Sequence, residues 1–318
     1  MQTKPTPTYH RVGSYYTATH FPGETLRSAL SYRPQPGDVF IVTYPKCGTT
    51  WMQCILYQIY TGGTPVTSIK DFAERLPFLE RTGAEGLGDL PRPGSAIRTH
   101  MLYDQSRVSK QAKYIYVARN PYDCCVSFYN HYKLLPVFQF QDGTFDEYFE
   151  QFIRGEVDFG DYFDHLLSWY GHRDDPNVLF VTYEELKQNT RFWVQRVADF
   201  VGNQYGDNLR KDPGAIDRIL DATSLVNVRE LVRLEKDYRR KVISETPRDR
   251  MPRWAVLYLD VAEGALKNPS VGNFARKGIV GDWKNYFTEE QFQRLRRKAR
   301  ERCKGTDAMN VWKHLDIC

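Results

Sequence analysis

The chain has 318 residues, and 44 lysines and arginines against 39 aspartates and glutamates leave a formal net charge of +5. So small an excess argues against nucleic acid or a membrane surface as partner, while 41% hydrophobic and 26% charged residues are ordinary for a soluble protein with a sizeable core. No apolar run approaches the roughly 20 residues of a membrane span, and the N-terminus carries Pro and Tyr where a leader would be apolar. Strand-like and helix-like runs alternate along the rest, which predicts an α/β fold with a central parallel sheet flanked by helices on both faces.

Asp38-Val39-Phe40-Ile41-Val42-Thr43 is a short, nearly continuous apolar run of the kind that forms a buried parallel strand. Trp51, Met52, Ile55, Leu56 and Ile59 then recur at helical steps of three and four. Between them lies Tyr44-Pro45-Lys46-Cys47-Gly48-Thr49-Thr50, a strand-to-helix junction where a Gly, a cation and free helix N–H groups together suit an anion. The nucleotide triphosphatase loop places its lysine after the second glycine, whereas Lys46 precedes Gly48. A plain capped turn without a ligand also accounts for these residues taken alone.

Ala96-Ile97-Arg98-Thr99-His100, after the turn Pro91-Arg92-Pro93-Gly94, reads as a short strand ending at a histidine. Residues 114–118 form another uninterrupted strand with Arg119 at its end; Asn120 as N-cap, Pro121 at the first helical position and Asp123 in the first turn open a second helix. Ser127 falls two turns into it. A third unit follows, strand 178–183 ending at Tyr183, then a helix from Glu184 through Trp193, Val197 and Phe200. Near the C-terminus, Arg276-Lys277-Gly278 is by itself a basic turn, and Thr288 with Gln291 signals a capping box for a helix carrying Arg294, Arg296, Arg297, Lys298 and Arg300. That basic run is expected to be a solvated face.

Pro45-Lys46-Cys47-Gly48-Thr49-Thr50-Trp51 after a strand closely resembles the sulfate-donor loop of the cytosolic sulfotransferases, and Arg119 through Ser127 and Arg276-Lys277-Gly278 through Trp283 resemble that family's two other donor elements. The resemblance implies a P-loop-like sulfotransferase fold, 3′-phosphoadenosine 5′-phosphosulfate (PAPS) as donor, and a small phenol, catechol, amine-bearing alcohol or steroid as acceptor. It implies donor contacts from Lys46, Cys47, Gly48, Thr49, Thr50, Trp51, Arg119, Ser127, Arg276, Lys277 and Gly278, with Tyr183 and Thr223 beside the purine. His100 is the implied base, Lys46 the partner of the leaving phosphate, and Phe78 and His131 the implied acceptor-pocket residues; no metal enters the scheme. Arg98 stands where the family usually has lysine, so it keeps a charge for the transferring sulfonate but cannot donate a proton. A catalytically silent nucleotide or small-ligand binder remains the alternative.

The resemblance runs over about residues 20–302 and is weakest at 229–272, which is longer than usual and reads as a lid over the acceptor or a plain surface insertion on a single domain spanning 1–318. Tyr258-Leu259-Asp260-Val261-Ala262 is expected to be a short helix within it. The family's dimerisation motif is imperfect, with Glu289 and Gln293 at two of its positions, so monomer and homodimer both stand. The six cysteines lack metal or disulfide spacing and read as free thiols of a reducing, cytoplasmic setting; Cys47, at a helix start beside Lys46, is expected to have a lowered pKa and an oxidisable thiolate.

Overall fold

The computed structural model describes residues 7–13, 15–88, 90–266 and 274–317, with 261–266 as backbone alone. Four strands, β3 (Val39–Thr43), β4 (Ile97–Thr99), β5 (Lys113–Ala118) and β6 (Val178–Thr182), form a sheet of order β4-β3-β5-β6 in which every pairing is parallel. Because side chains alternate across a strand, the buried run of β3 feeds two cores. Phe40 and Val42 join Tyr114 and Tyr116 on one face; Val39 and Ile41 join Ile115 and Val117 on the other.

Parallel neighbours require crossovers, and helices supply them on both faces. Helix Thr49–Tyr60 brings Met52, Ile55, Leu56 and Ile59 onto the Ile41 side, while helix Pro121–Leu134 brings Phe128 and Tyr132 onto the Tyr116 side. Truncating one of these fully buried aliphatics, such as Ile41 or Leu56, to alanine costs about 2–5 kcal/mol. All four C-terminal strand ends fall on one edge, and three helices start there, at Gly48, Asn120 and Thr182. Asn120 caps its helix by accepting from the Asp123 N–H at 2.8 Å, with Pro121 in the first turn as the sequence predicts.

Several expectations change in detail. β6 ends at Thr182, and Tyr183 is the first residue of helix Tyr183–Gln188, because Thr182 and Glu185 form a reciprocal capping box. The single helix expected from Glu184 to Phe200 is two, broken where Asn189 caps a second helix, Thr190–Val201, by accepting from Phe192. The basic run on helix Glu289–Arg302 is not simply solvated: Arg294 binds Glu150 through both nitrogens at 2.5 and 3.0 Å, and Lys298 pairs with Asp161. An antiparallel pair, β1 (Tyr9–Val12) with β2 (Tyr15–Ala18), had no counterpart in the sequence reading.

The long segment after Thr223 is mostly helical. Helix Leu225–Glu245 runs continuously through the predicted start of the insertion, and after a short 3₁₀ turn, Arg248–Arg250, helix Arg253–Leu266 absorbs the short helix expected at 258–262. Residues 267–272 of that predicted insertion lie outside the described residues.

Candidate active site

The C-terminal sheet edge opens into a cavity of ≈ 1130 Å³. One end is cationic. Gly48 caps helix Thr49–Tyr60 at φ 114, and a Cβ there would stand 3.1 Å from the Tyr183 ring, so the position needs glycine for both reasons. Lys46 is left-handed as well, at φ 71, a conformation that costs a non-glycine residue about 1–3 kcal/mol. Its ammonium lies 3.8 Å from the centre of the Phe274 ring. Burial, with Arg119 and Arg276 as positive neighbours, pulls the Lys46 pKa down to about 7.

Arg119, at the end of β5, donates to the carbonyls of Lys46 at 3.3 Å and Ile279 at 3.2 Å, and its guanidinium covers the Tyr183 ring at 4.5 Å. Among the described residues its buried Nε has no partner. Two carboxylates hold the Arg276-Lys277-Gly278 loop in place. Asp123 accepts from the backbone N–H groups of Gly281 at 2.7 Å and Trp283 at 3.0 Å. Asp282 pairs with Arg276 and, at 2.6 Å, with Lys277. Burial alone would raise the Asp282 pKa, but the hydrogen bonds from Lys277, Arg276 and Asn285 prevail and bring it down to about 2. Gly278 takes φ 65, with its Cβ position 3.3 Å from Leu225. At the same end Trp51 donates from Nε1 to the Thr223 carbonyl at 3.1 Å and meets Tyr183 edge-on, ring centres 5.5 Å apart. The Thr223 hydroxyl donates to Ile219 at 2.7 Å, and Ser127 lines the cavity from helix Pro121–Leu134.

The other end is built around His100, one residue past β4. Its Nδ1 lies 2.7 Å from the Thr43 carbonyl oxygen, which can only accept, so Nδ1 carries the proton and Nε2 the lone pair. The same Thr43 holds the Thr49 hydroxyl at 2.6 Å, tying this histidine to the start of the loop helix. Phe78 and Phe159 stand edge-on to the imidazole at 5.1 and 5.0 Å. Burial, against a raising hydrogen bond that the ring donates to the Thr43 carbonyl and with Arg98 and Lys46 nearby, brings its pKa down to about 3, so the ring is neutral at physiological pH. Beneath it Glu80 accepts from the His100 N–H at 2.6 Å and the Thr99 hydroxyl at 2.8 Å, and burial raises that carboxyl to about 7.

Nearly every residue singled out in the sequence lines this one cavity, Phe78, Arg98 and His131 at the His100 end included. Cys47 does not. Its thiol is fully buried, 3.7 Å from Cys124 Sγ, and burial together with that hydrogen bond pushes its pKa well up, which corrects the exposed, acidic thiolate expected. The helix-start effect loses to desolvation because the side chain turns into the core behind the loop. The other described cysteines are free and buried, and Cys318 lies outside the described residues. Sequence reasoning missed Glu80, Glu235, Arg81, Arg239, Trp254 and Tyr258. Asp282 stood within the quoted third element, so an acid five and six residues after two bases was a signal available there; the rest come from elements whose approach no motif marks.

A family model described as "Sulfotransferase domain" matches residues 36–307. Rat sulfotransferase 1C2 is 33% identical over 286 residues, covering 87% of this chain and 86% of that protein. Mouse sulfotransferase 1B1 is likewise 33% identical, over 86% and 85%. The crystal structure of mouse sulfotransferase SULT7A1 complexed with PAP superposes with a TM-score of 0.67 at 25% identity, over 97% of this chain and 98% of that one. With a parallel sheet whose loop ends converge on one cationic cavity and a family model spanning most of its length, the chain belongs to the sulfotransferase family.

Proposed function

We propose that this protein transfers the sulfonate group of PAPS to the hydroxyl, or amine, of a small acceptor such as a phenol, catechol, amine-bearing alcohol or steroid. The observation that carries the reading is the shared Thr43 anchor: one residue fixes His100 in the tautomer with a free Nε2 lone pair and binds Thr49 at the head of the cationic loop. The cationic end suits a nucleotide with phosphates at both its 3′ and 5′ positions. Arg119 Nε is buried without a partner among the described residues, Gly48 leaves a cradle a side chain would fill, and Arg276 and Lys277 stand together on a loop clamped by Asp123.

In this assignment Arg119, Ser127, Arg276, Lys277 and the Gly278 backbone hold the 3′-phosphate, and Trp51, Tyr183 and Thr223 flank the purine. The bound donor supplies an electrophilic sulfuryl group. His100 Nε2 takes the proton of the acceptor hydroxyl as that oxygen attacks, a role worth ~10²–10⁴ in rate. Lys46 and the amides of Gly48, Thr49 and Thr50 hold the negative charge at the 5′-phosphate, and positioning with preset charge provides most of the rest. Arg98, which Gln53 and Glu235 hold at 3.1 and 3.4 Å, keeps a fixed positive charge beside the sulfonate path. Phe78 and His131 wall the acceptor.

Residues 1–318 are read as one sulfotransferase domain, with the helices after Leu225 as a lid: Glu235, Arg239, Trp254 and Tyr258 line the cavity from that side. A cytoplasmic location fits relatives of this kind, and among the described residues no helix is long and apolar enough to cross a membrane. The test is transfer of labelled sulfate from PAPS onto a panel of phenols, catecholamines and sterols, beside calorimetric binding of adenosine 3′,5′-bisphosphate. Tight nucleotide binding without transfer to any acceptor would leave the silent-binder reading in its place.

A further inference from the structure

The wall opposite the donor loop carries positive charge that its own acids do not balance. Arg81, Arg98 and Arg239 come from three separate elements, helix Leu79–Thr82, β4 and helix Leu225–Glu245, and all line the cavity. Two of them, Arg98 and Arg239, converge on one carboxylate. Glu235 Oε1 takes Arg98 at 3.4 Å and Arg239 at 2.8 Å, and these three side chains are only 13–17% exposed. Arg81 has no hydrogen-bond or ion-pair partner among the described residues; its guanidinium rests 5.9 Å from the Phe78 ring centre and 5.5 Å from that of Tyr258. Arg98 Nε is likewise buried without a partner among them.

The other acids nearby are committed elsewhere. Glu80 serves Thr99 and the His100 backbone, Asp158 accepts from the Ala18 N–H at 2.8 Å, and Glu230 pairs with Arg233. Three guanidiniums, two on one carboxylate and the third with no ion-pair partner among the described residues, leave a cationic excess in a walled space that solvent screens poorly, and a planar anion is the group a guanidinium fork fits.

We propose that the acceptor end recognises a carboxylate on the same molecule whose hydroxyl reaches His100, with Arg81 and Arg239 as the contact residues. The placement of the hydroxyl rests on the sulfonate-transfer reading above; the anion subsite itself does not. Phe78 sets the scale of the ligand, since its ring centre is 5.1 Å from the His100 ring, 5.4 Å from the Arg98 guanidinium and 5.9 Å from that of Arg81. An aryl ring or short chain between hydroxyl and carboxylate spans that interval, with the Phe78 face as its support.

The experiment compares 3-(4-hydroxyphenyl)propanoate with its neutral amide, titrated calorimetrically into the protein saturated with adenosine 3′,5′-bisphosphate. The carboxylate should bind about tenfold tighter or more, as expected for a charge-assisted pair, and the margin should shrink with added salt. In Arg81→Gln the ratio of the two affinities should fall toward one, while Arg81→Lys, which keeps the charge without the fork, should restore part of it. The amide reports on the integrity of each variant. Equal binding of the two compounds by the wild type, or a ratio unchanged in R81Q, overturns the subsite. A binding preference that persists while neither compound accepts sulfate from PAPS keeps the subsite and removes the placement of the hydroxyl at His100.

Discussion

The two ends of the cavity are built in different ways. The donor end consists of three short contiguous stretches, each at a strand end or clamped loop, and its cations are held within a stretch or between two of them: Arg276 and Lys277 by Asp282 of their own loop, Arg119 by the Lys46 carbonyl of the first loop and the Ile279 carbonyl of the third. At the acceptor end, the side chains arrive from many separate elements. His100 follows β4, Phe159 sits in the loop before helix Tyr162–Tyr170, Arg81 belongs to a four-residue helix, and Glu235 and Arg239 to the long helix after Thr223. A phosphate can be met by a linear motif of backbone amides and cations, whereas a pocket made of single contacts from many elements can change one residue at a time.

The sharpest way to separate the ends is His100→Ala. Turnover should fall by ~10²–10⁴ with adenosine 3′,5′-bisphosphate affinity largely kept, because this ring faces the acceptor and not the nucleotide. Steady-state rates beside calorimetry read both; retained turnover removes the histidine from the mechanism. Arg119→Ala should do the reverse, weakening nucleotide binding by roughly 10–100-fold through loss of charge-assisted hydrogen bonds while moving the KM of the acceptor little. Comparable losses for both ligands would show that the ends are coupled and break the contrast.

Protonation offers a finer probe. With the Lys46 pKa brought down to about 7 by burial and its arginine neighbours, a fraction of the free protein lacks that charge above neutrality. A bound phosphate raises the pKa, so binding above pH 7 takes up a proton, and affinity falls as pH rises through and beyond 7. Titrations in buffers of different ionisation enthalpy measure the uptake, and Lys46→Arg should abolish it. Uptake unchanged in that variant would assign the proton to another group. The smallest effect belongs to Cys47. Buried against Cys124, it should react with iodoacetamide at least about tenfold more slowly in the folded than in the unfolded protein, with activity unharmed by brief exposure. Rapid labelling with loss of activity would mean that the loop opens far more often than its packing implies.

Much of the donor end was legible in the chain because backbone rules and chemistry coincide there. A strand, a lysine and glycine at the bend and a helix start mark an anion-suited junction, which the resemblance to a known family singled out over a plain turn, and Asn120-Pro121 announces the second helix by its own capping rules. His100 was legible through its neighbours in the motif, but its tautomer was not. That depends on the Thr43 carbonyl, 57 residues away in sequence and 2.7 Å away in space. Cys47 was misread for the same reason: local rules assigned it a helix-start environment, while the direction of its side chain into the core behind the loop decided its acidity. The break at Asn189 and the merging of 258–262 into a longer helix were lost because capping competes with periodicity at a single residue.

The alternating runs of apolar residues and the glycine and proline positions determined by themselves the α/β class and an edge suited to an anion, since those follow from interactions within a few residues; the kind of nucleotide came from the resemblance of three short stretches to a known family. Tertiary structure alone decided which proton His100 carries, which acids neutralise which arginines, and that Arg98 and Arg239 meet at one glutamate while Arg81 lines the same cavity without an ion-pair partner among the described residues. Charge balance in a cavity is a sum over distant segments, and no stretch of sequence contains that sum.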